Sequence, residues 1–263
     1  MVETRRTASD AAEQKTQGPV GQLLQHGHVS KAMNMSEKDP VITDPDDFYT
    51  DAQRKLQAEN GHEKLARGVV KAIVRDALED DHIAYIESRD YFFLSTVTAQ
   101  GEPTVSYKGG PVGFVKHLGD GKLVFPNYDG NGMWLSMGNI DEACKVGMLF
   151  MDFETPWRIR VQGDAKISKD PRLMAHFPGC NMVAVVDVTR VFQNCARMIH
   201  KHKRVEEHSI YVPDAEGRQP FPAWKRVASM QEFLHEDDQG KAAENGGTIT
   251  QEEYREKLKQ GLT

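Results

Sequence analysis

The sequence predicts a mainly β fold with peripheral helices, a small barrel of six antiparallel strands, and three observations carry that prediction. "RIRVQGDAKI" alternates, with Ile159, Val161, Gly163, Ala165 and Ile167 on one face and Arg158, Arg160, Gln162, Asp164 and Lys166 on the other. Five further runs, "YFFLSTVT", "TVSYKGG", "KLVFP", "KVGMLFMDF" and "MVAVVDVTRVF", are rich in β-branched and aromatic residues and bounded by turn signals. Only short helical patterns lie between them, as a small barrel requires.

The elements follow in order. Residues 1–47 hold scattered Gln, Ser, Thr, Gly and Lys with too few large apolar groups to offset the entropy of ordering, so they read as a disordered tail. His26 and His28 in that tail lack a third ligand for a metal. From Asp51 onward, Leu65, Val69, Ile73 and Ala77 recur every four residues beside Ala66, Val70, Val74 and Leu78, which makes an amphipathic helix that must dock. Asp80 and Asp81 are placed to cap a second helix, "DHIAYIESRD". "AQGEP" turns the chain between the first two strands, giving a hairpin over residues 91–110. "DPRLMAHFPG" is a capped short helix stopped by Pro178 and Gly179. The chain after Phe192 is irregular, and rising Asp, Glu, Gly and Gln content makes residues 236–263 a mobile tail, leaving 48–235 as the folded domain.

Composition narrows the function. A net charge of −6, with Lys and Arg mixed among Asp and Glu, leaves no concentrated basic face for nucleic acid. Cys144, Cys180 and Cys195 are odd in number and widely spaced, so neither a disulfide framework nor a zinc pattern arises and a reducing cytoplasm is expected. No run approaches the ~20 apolar residues of a membrane span. Dinucleotide fingerprint, P-loop, nucleophile elbow and HExxH motifs are all missing from the sequence.

What remains is a set of strand ends. In "FPNYDGNGMW", Gly130 and Gly132 permit positive φ, and Asn127, Asp129 and Asn131 tolerate it, so a plain turn is a complete explanation of the loop. The same loop can also aim backbone N–H groups at one point, joined by the free amides of a helix that begins in "MWLSMGNI". Ser106, Lys108, Asn131 and Arg158 add hydroxyl, ammonium, amide and guanidinium donors, which together suit a phosphate dianion. Taken singly, Lys108 and Arg158 read more readily as solvated strand residues.

The ordered combination of "FFLSTVTAQGEPTVSYKGG", "LVFPNYDGNGMWLSMGNI", "VGMLFMDFETPWRIRVQGDAKI" and "VFQNCARMIH" resembles the FMN-binding split β-barrel family of pyridoxamine 5′-phosphate oxidase, over about residues 48–230. It is most similar to that family's broad branch of bacterial members of unassigned substrate. The resemblance implies a homodimer with FMN in the groove between subunits. It puts Lys108 on the flavin phosphate, the backbone of Val105, Ser106 and Tyr107 along the flavin, and Pro126 near a cofactor contact. It gives the loop residues Asn131 and Gly132 to the phosphate and Arg158 to the neighbourhood of the ring. If "CARMIHKHKR" crosses to the partner's site, Arg197 and His200 face flavin or substrate; Cys195 reads either as a reactive thiol or as a small apolar residue. The chain departs from the oxidase by having Pro103 in place of an arginine and Gly130, Asn131 and Gly132 in place of Ser-Arg-Lys, and the oxidase's C-terminal substrate motif is missing.

The expected activity is therefore an FMN-dependent oxidoreductase acting on an unidentified small molecule, with no side chain assigned as catalytic and no metal. A flavin carrier or sensor without turnover, and a haem-binding split-barrel protein, stay open as alternatives.

Overall fold

The computed structural model describes residues 44–205 and 209–262. The chain divides into two units, Met1–Asp76 and Ala77–Thr263. Most of the expected N-terminal tail, with His26 and His28, lies outside the described residues.

The first unit carries α1 (Pro45–Phe48), α2 (Asp51–Glu59), α3 (Glu63–Ile73) and a two-residue strand, β1 (Val74–Arg75). Asp44 caps α1 by accepting from Asp46 N at 2.9 Å, and Thr50 and Gln53 close a reciprocal capping box on α2. Tyr49 Oη donates to Ala66 O at 3.1 Å, which fixes α3 beside the first turn. The amphipathic stripe predicted from Leu65 onward does form a helix, but its fully buried residue is Val70, while Leu65 and Val69 are exposed.

The second unit opens with α4 (Asp80–Glu87), where Glu79 takes the cap position in place of the expected Asp80 or Asp81 and donates its N–H to His82 Nδ1. Then come β2 (Tyr91–Val97), β3 (Pro103–Gly109), β4 (Lys116–Gly119), β5 (Lys122–Asn127), α5 (Leu135–Ala143), β6 (Lys145–Asp152), β7 (Trp157–Ser168), α6 (Pro171–Met174) and β8 (Met182–Gln193). The strands pair antiparallel in the order β3-β2-β6-β7-β8-β5-β4. The class is the expected one, an antiparallel split barrel with peripheral helices. It has one strand more than predicted in this unit, because β4 ("KHLG") has no apolar alternation to announce it and is held by pairing with β5.

The predicted alternation of β7 sends Ile159, Val161 and Ala165 into the core with Phe92, Leu94, Phe125 and Phe150. Phe92 sits at its centre, its ring 5.1–5.7 Å from those of Phe114, Phe125 and Phe150. Val124, Phe177, Val183 and Val185 form a second cluster, with Val124 on the opposite face of β5 from Phe125.

The expected mobile tail from residue 236 is instead folded. Short 3-10 turns at Ala223–Arg226, Ala228–Phe233 and Glu236–Asp238 lead to α7 (Lys241–Glu244) and α8 (Gln251–Lys259). Ala228 N donates to Ile249 O and Ile249 N to Arg226 O, both at 2.9 Å, and Ala223, Val227 and Ile249 are buried together with Met230 and Tyr254 against them. Few apolar residues suffice because tight turns bring widely spaced ones together, and Thr250 with Glu253 caps α8. Among the described residues no helix is long and apolar enough to cross a membrane.

β7 and β8 shift register between Gln162 and Gly163, and the strands approach closely there. A Cβ on Gly163 would lie 2.5 Å from the Asp187 carbonyl oxygen and 2.7 Å from Val186 Cγ1. Gly163→Ala is therefore expected to lower unfolding free energy by about 1–3 kcal/mol, read by denaturant titration.

Candidate functional site

The last strand in the sheet order, β3, builds one side of the site. Its pairing with β2 sets Ser106 opposite Leu94 and Lys108 opposite Phe92. Directly opposed residues share a face, so Ser106 and Lys108 lie on the core side while Val105 and Tyr107 lie on the outer side. Val105 is 68% exposed and Tyr107 63%, which leaves the outer face open. Tyr107 stacks on Tyr91 at 5.5 Å, and Tyr91 on Phe153 at 6.2 Å. Burial, then the charges of Asp152 and Asp90, push the Tyr91 hydroxyl up to about 12, so these phenols stay neutral at physiological pH.

On the core side, Ser106 Oγ lies 3.0 Å from Ser136 Oγ in the first turn of α5. Asn139 Nδ2 donates to Thr96 Oγ1 at 3.0 Å, a second polar link from the same helix, this one to β2. No side chain caps α5, so its leading N–H groups are free of a capping side chain beside the edge strand. The helix is launched by two left-handed residues, Gly132 at φ 75° and Trp134 at φ 56°. Between them, Asn131 Oδ1 accepts from Met133 N at 3.1 Å, so the Asn131 carbonyl oxygen is committed to the turn.

Lys108 sits two residues from Ser106, about 7 Å along the same face. It is half-buried, and among the described residues its ammonium has no hydrogen bond or ion pair. Burial holds its pKa below the ordinary lysine value of 10.5. A cation desolvated without a counterion is a ready anion partner.

The remaining expected residues are not all brought to this point. Pro126 is buried on β5, on the Val124 face and thus opposite to Phe125, away from Ser106 and Lys108. Arg158 is on the outer face of β7, opposite Met151 of β6. Its Nη2 donates to Cys195 O at 3.1 Å, while its Nε is buried without a partner. Trp157 Nε1 and Asn194 Oδ1 are likewise buried and unpartnered, so the unsatisfied polar atoms gather where β7 starts and β8 has just ended. Within one chain, then, Arg158 and Lys108 serve different faces.

Arg197 and His200 are exposed, and Cys195 Sγ accepts from Arg197 N at 3.3 Å. Beyond them His202 N donates to Phe153 O at 3.1 Å, and Arg204 grips Asp90 through two bonds of 2.7 and 3.1 Å. These contacts pin the segment along the rim from Arg158 to the start of β2. Among the described residues no group of three His, Cys, Asp or Glu side chains is placed to hold a metal.

Sequence reasoning missed Ser136, and it missed the anchor of the glycine loop. Asp129 Oδ2 accepts from Lys225 Nζ at 2.7 Å, and Asp238 Oδ2 accepts from the same ammonium at 2.7 Å. The Lys225 side chain is 8% exposed and that of Asp238 is 17% exposed. Burial alone would raise the Asp238 carboxyl, but the bonds from Lys225 and Lys241 overcome it and hold the pKa low. No local periodicity pairs residues 96 positions apart. Lys225→Met should cost about 1–3 kcal/mol near neutral pH. Because a depressed carboxylate pKa stabilises only while the group is ionised, the gap between variant and wild type should shrink as pH falls through the carboxylate range, read by chemical denaturation at stepped pH.

Against known proteins, the pattern of the family described as pyridoxamine 5′-phosphate oxidase matches residues 78–195. No curated protein matches the chain in sequence. Among solved structures the chain is similar to Group A Streptococcus HupZ, at 16% identity over 48% of this chain and 99% of that one, with a TM-score of 0.37. It is also similar to the FAD binding protein from Mycobacterium smegmatis (15% identity, 44% of this chain, 94% of that one, TM-score 0.32). A third is HutZ, the heme storage protein from Vibrio cholerae (16% identity, 44% and 94%, TM-score 0.31). Residues 78–195, rather less than half of the chain, are thus similar to the pyridoxamine 5′-phosphate oxidase family.

Proposed function

We propose that the chain is a homodimeric FMN-dependent oxidoreductase for a small molecule, with the flavin phosphate held at the core-side edge of β3. The observation that carries this reading is the Ser106–Ser136 contact, which sets the uncapped start of α5 against β3 at a residue two positions from a half-buried Lys108 that has no partner among the described residues. Two hydroxyls, helix amides and one ammonium suit a phosphate dianion. The glycine loop contributes backbone N–H groups where the oxidase uses charged side chains. The free edge of β3 at Val105, Ser106 and Tyr107 offers backbone donors and acceptors to a flat ring.

FMN, when bound, supplies a ring that accepts and returns hydride. The chain's own part is to bind the phosphate, hold the ring against the β3 edge and keep water from it. Arg158, whose Nε lacks an acceptor, and the exposed Arg197 and His200 are the residues left to meet the ring or substrate from a second subunit. Pairing of two copies through the outer face would cover Val105, opposite Ser95, and Tyr107, which stands in one row with Phe93 and Leu149.

Titration with FMN tests the site. Lys108→Met should weaken binding by about 10–100-fold, the worth of one charge-assisted bond. Since burial already favours the neutral amine, affinity should decline with rising pH before 10.5, and that decline should vanish in Lys108→Met. A wild-type protein that leaves added FMN free, yet gains a haem Soret band that His200→Ala removes, would overturn the flavin reading in favour of haem. The dimer has its own test: Val105→Glu should run as a monomer by light scattering with an unchanged melting curve, and a persisting dimer would exclude the outer face.

A further inference from the structure

The C-terminal segment builds a second cavity on the far side of the glycine loop, of about 600 Å³. That size is ordinary for a small-ligand site. Except for Asp129 and Gly130, its walls come from beyond residue 195 and so lie outside the part of the chain shared with the family. Tyr211, Phe221, Trp224 and Tyr254 line it, and each is only partly buried, so each has ring surface to offer. Walls of this kind favour a planar ring.

The polar groups say which kind of ring. The side-chain amides are each half committed, one N–H of Gln219 Nε2 going to Tyr211 O and one of Asn245 Nδ2 to Lys241 O, each at 2.8 Å, and among the described residues Trp224 Nε1 makes no hydrogen bond. Lys225 gives its ammonium to Asp129 and Asp238, and Lys241 leans on Asp238 at 3.5 Å. Acceptors are left over: among the described residues, Gln219 Oε1, Asn245 Oδ1 and Asp129 Oδ1 receive no hydrogen bond. A site with aromatic walls, unused acceptors and some unused donors suits a ring whose edge carries an amino group beside ring acceptors. We propose that this cavity binds a planar nitrogen heterocycle bearing an amino group, of the aminopurine type. The inference does not depend on FMN binding at Lys108.

Such a ring reaches the cavity either as a free small molecule or as the base of a dinucleotide whose phosphates lie at the loop that both sites share. Calorimetric titration of the full chain with adenosine, purine riboside, FMN and FAD separates these sources. Adenosine should bind saturably and more tightly than purine riboside, which lacks the amino group. Trp224→Leu should weaken adenosine by about tenfold or more, as loss of a stacking face does, while leaving the FMN titration unchanged; Tyr254→Phe, which keeps the packing against Ile249, should bind adenosine and fold as wild type. Competition between FAD and adenosine would identify the dinucleotide as the source, and independent binding would identify a free ligand. The proposal fails if adenosine shows no saturable binding up to millimolar concentration, if purine riboside binds equally well, or if Trp224→Leu binds adenosine unchanged.

Discussion

The register between β2 and β3 is the constraint on which the site depends. Phe92 and Leu94 are fixed in the core by aromatic packing, and their partners across the ladder are Lys108 and Ser106. A slip of one residue would turn Val105 and Tyr107 inward and send Lys108 into solvent. The barrel core thus dictates that a cation stands desolvated at an open sheet edge. A half-buried ammonium without a counterion is costly, and the strand holds it two residues from Ser106, whose hydroxyl meets Ser136.

The glycine loop is a hinge between two neighbourhoods, not a free turn. Its downstream end launches α5 toward Ser106, and its upstream end is tied through Asp129 to Lys225 and Asp238. The C-terminal segment therefore bears directly on the glycine loop. A ligand in the second cavity would touch Asp129 and Gly130 directly, giving the two sites a physical route of communication through one short stretch of backbone.

Much of the barrel was legible because a pleated strand writes its two faces into the sequence. The alternation of Arg158, Arg160 and Gln162 against Ile159, Val161 and Gly163 is realised residue for residue in β7. Lys108 could be named as a candidate from its place at the end of "TVSYKGG", but its half-burial on the core side of β3 could not. Contacts between residues far apart in the chain left no such trace: Ser136 lies 30 positions from Ser106, and a serine in a first helical turn looks like any other. Composition misled at the C-terminus, where charged residues dominate yet Ile249, Val227 and Ala223 close a small core through backbone turns. β4 was invisible for the opposite reason, since its pairing, not its side chains, makes it a strand.

Under the proposed function, this edge of the barrel recognises a phosphate through Lys108. Comparing the affinities of FMN and riboflavin in the wild type and in Lys108→Met tests it most directly, because the two ligands differ only in that group. The wild type should prefer FMN clearly, by about tenfold or more, and that preference should collapse in the variant. Equal affinity for the two flavins in the wild type, or a preference that survives the loss of Lys108, would contradict it.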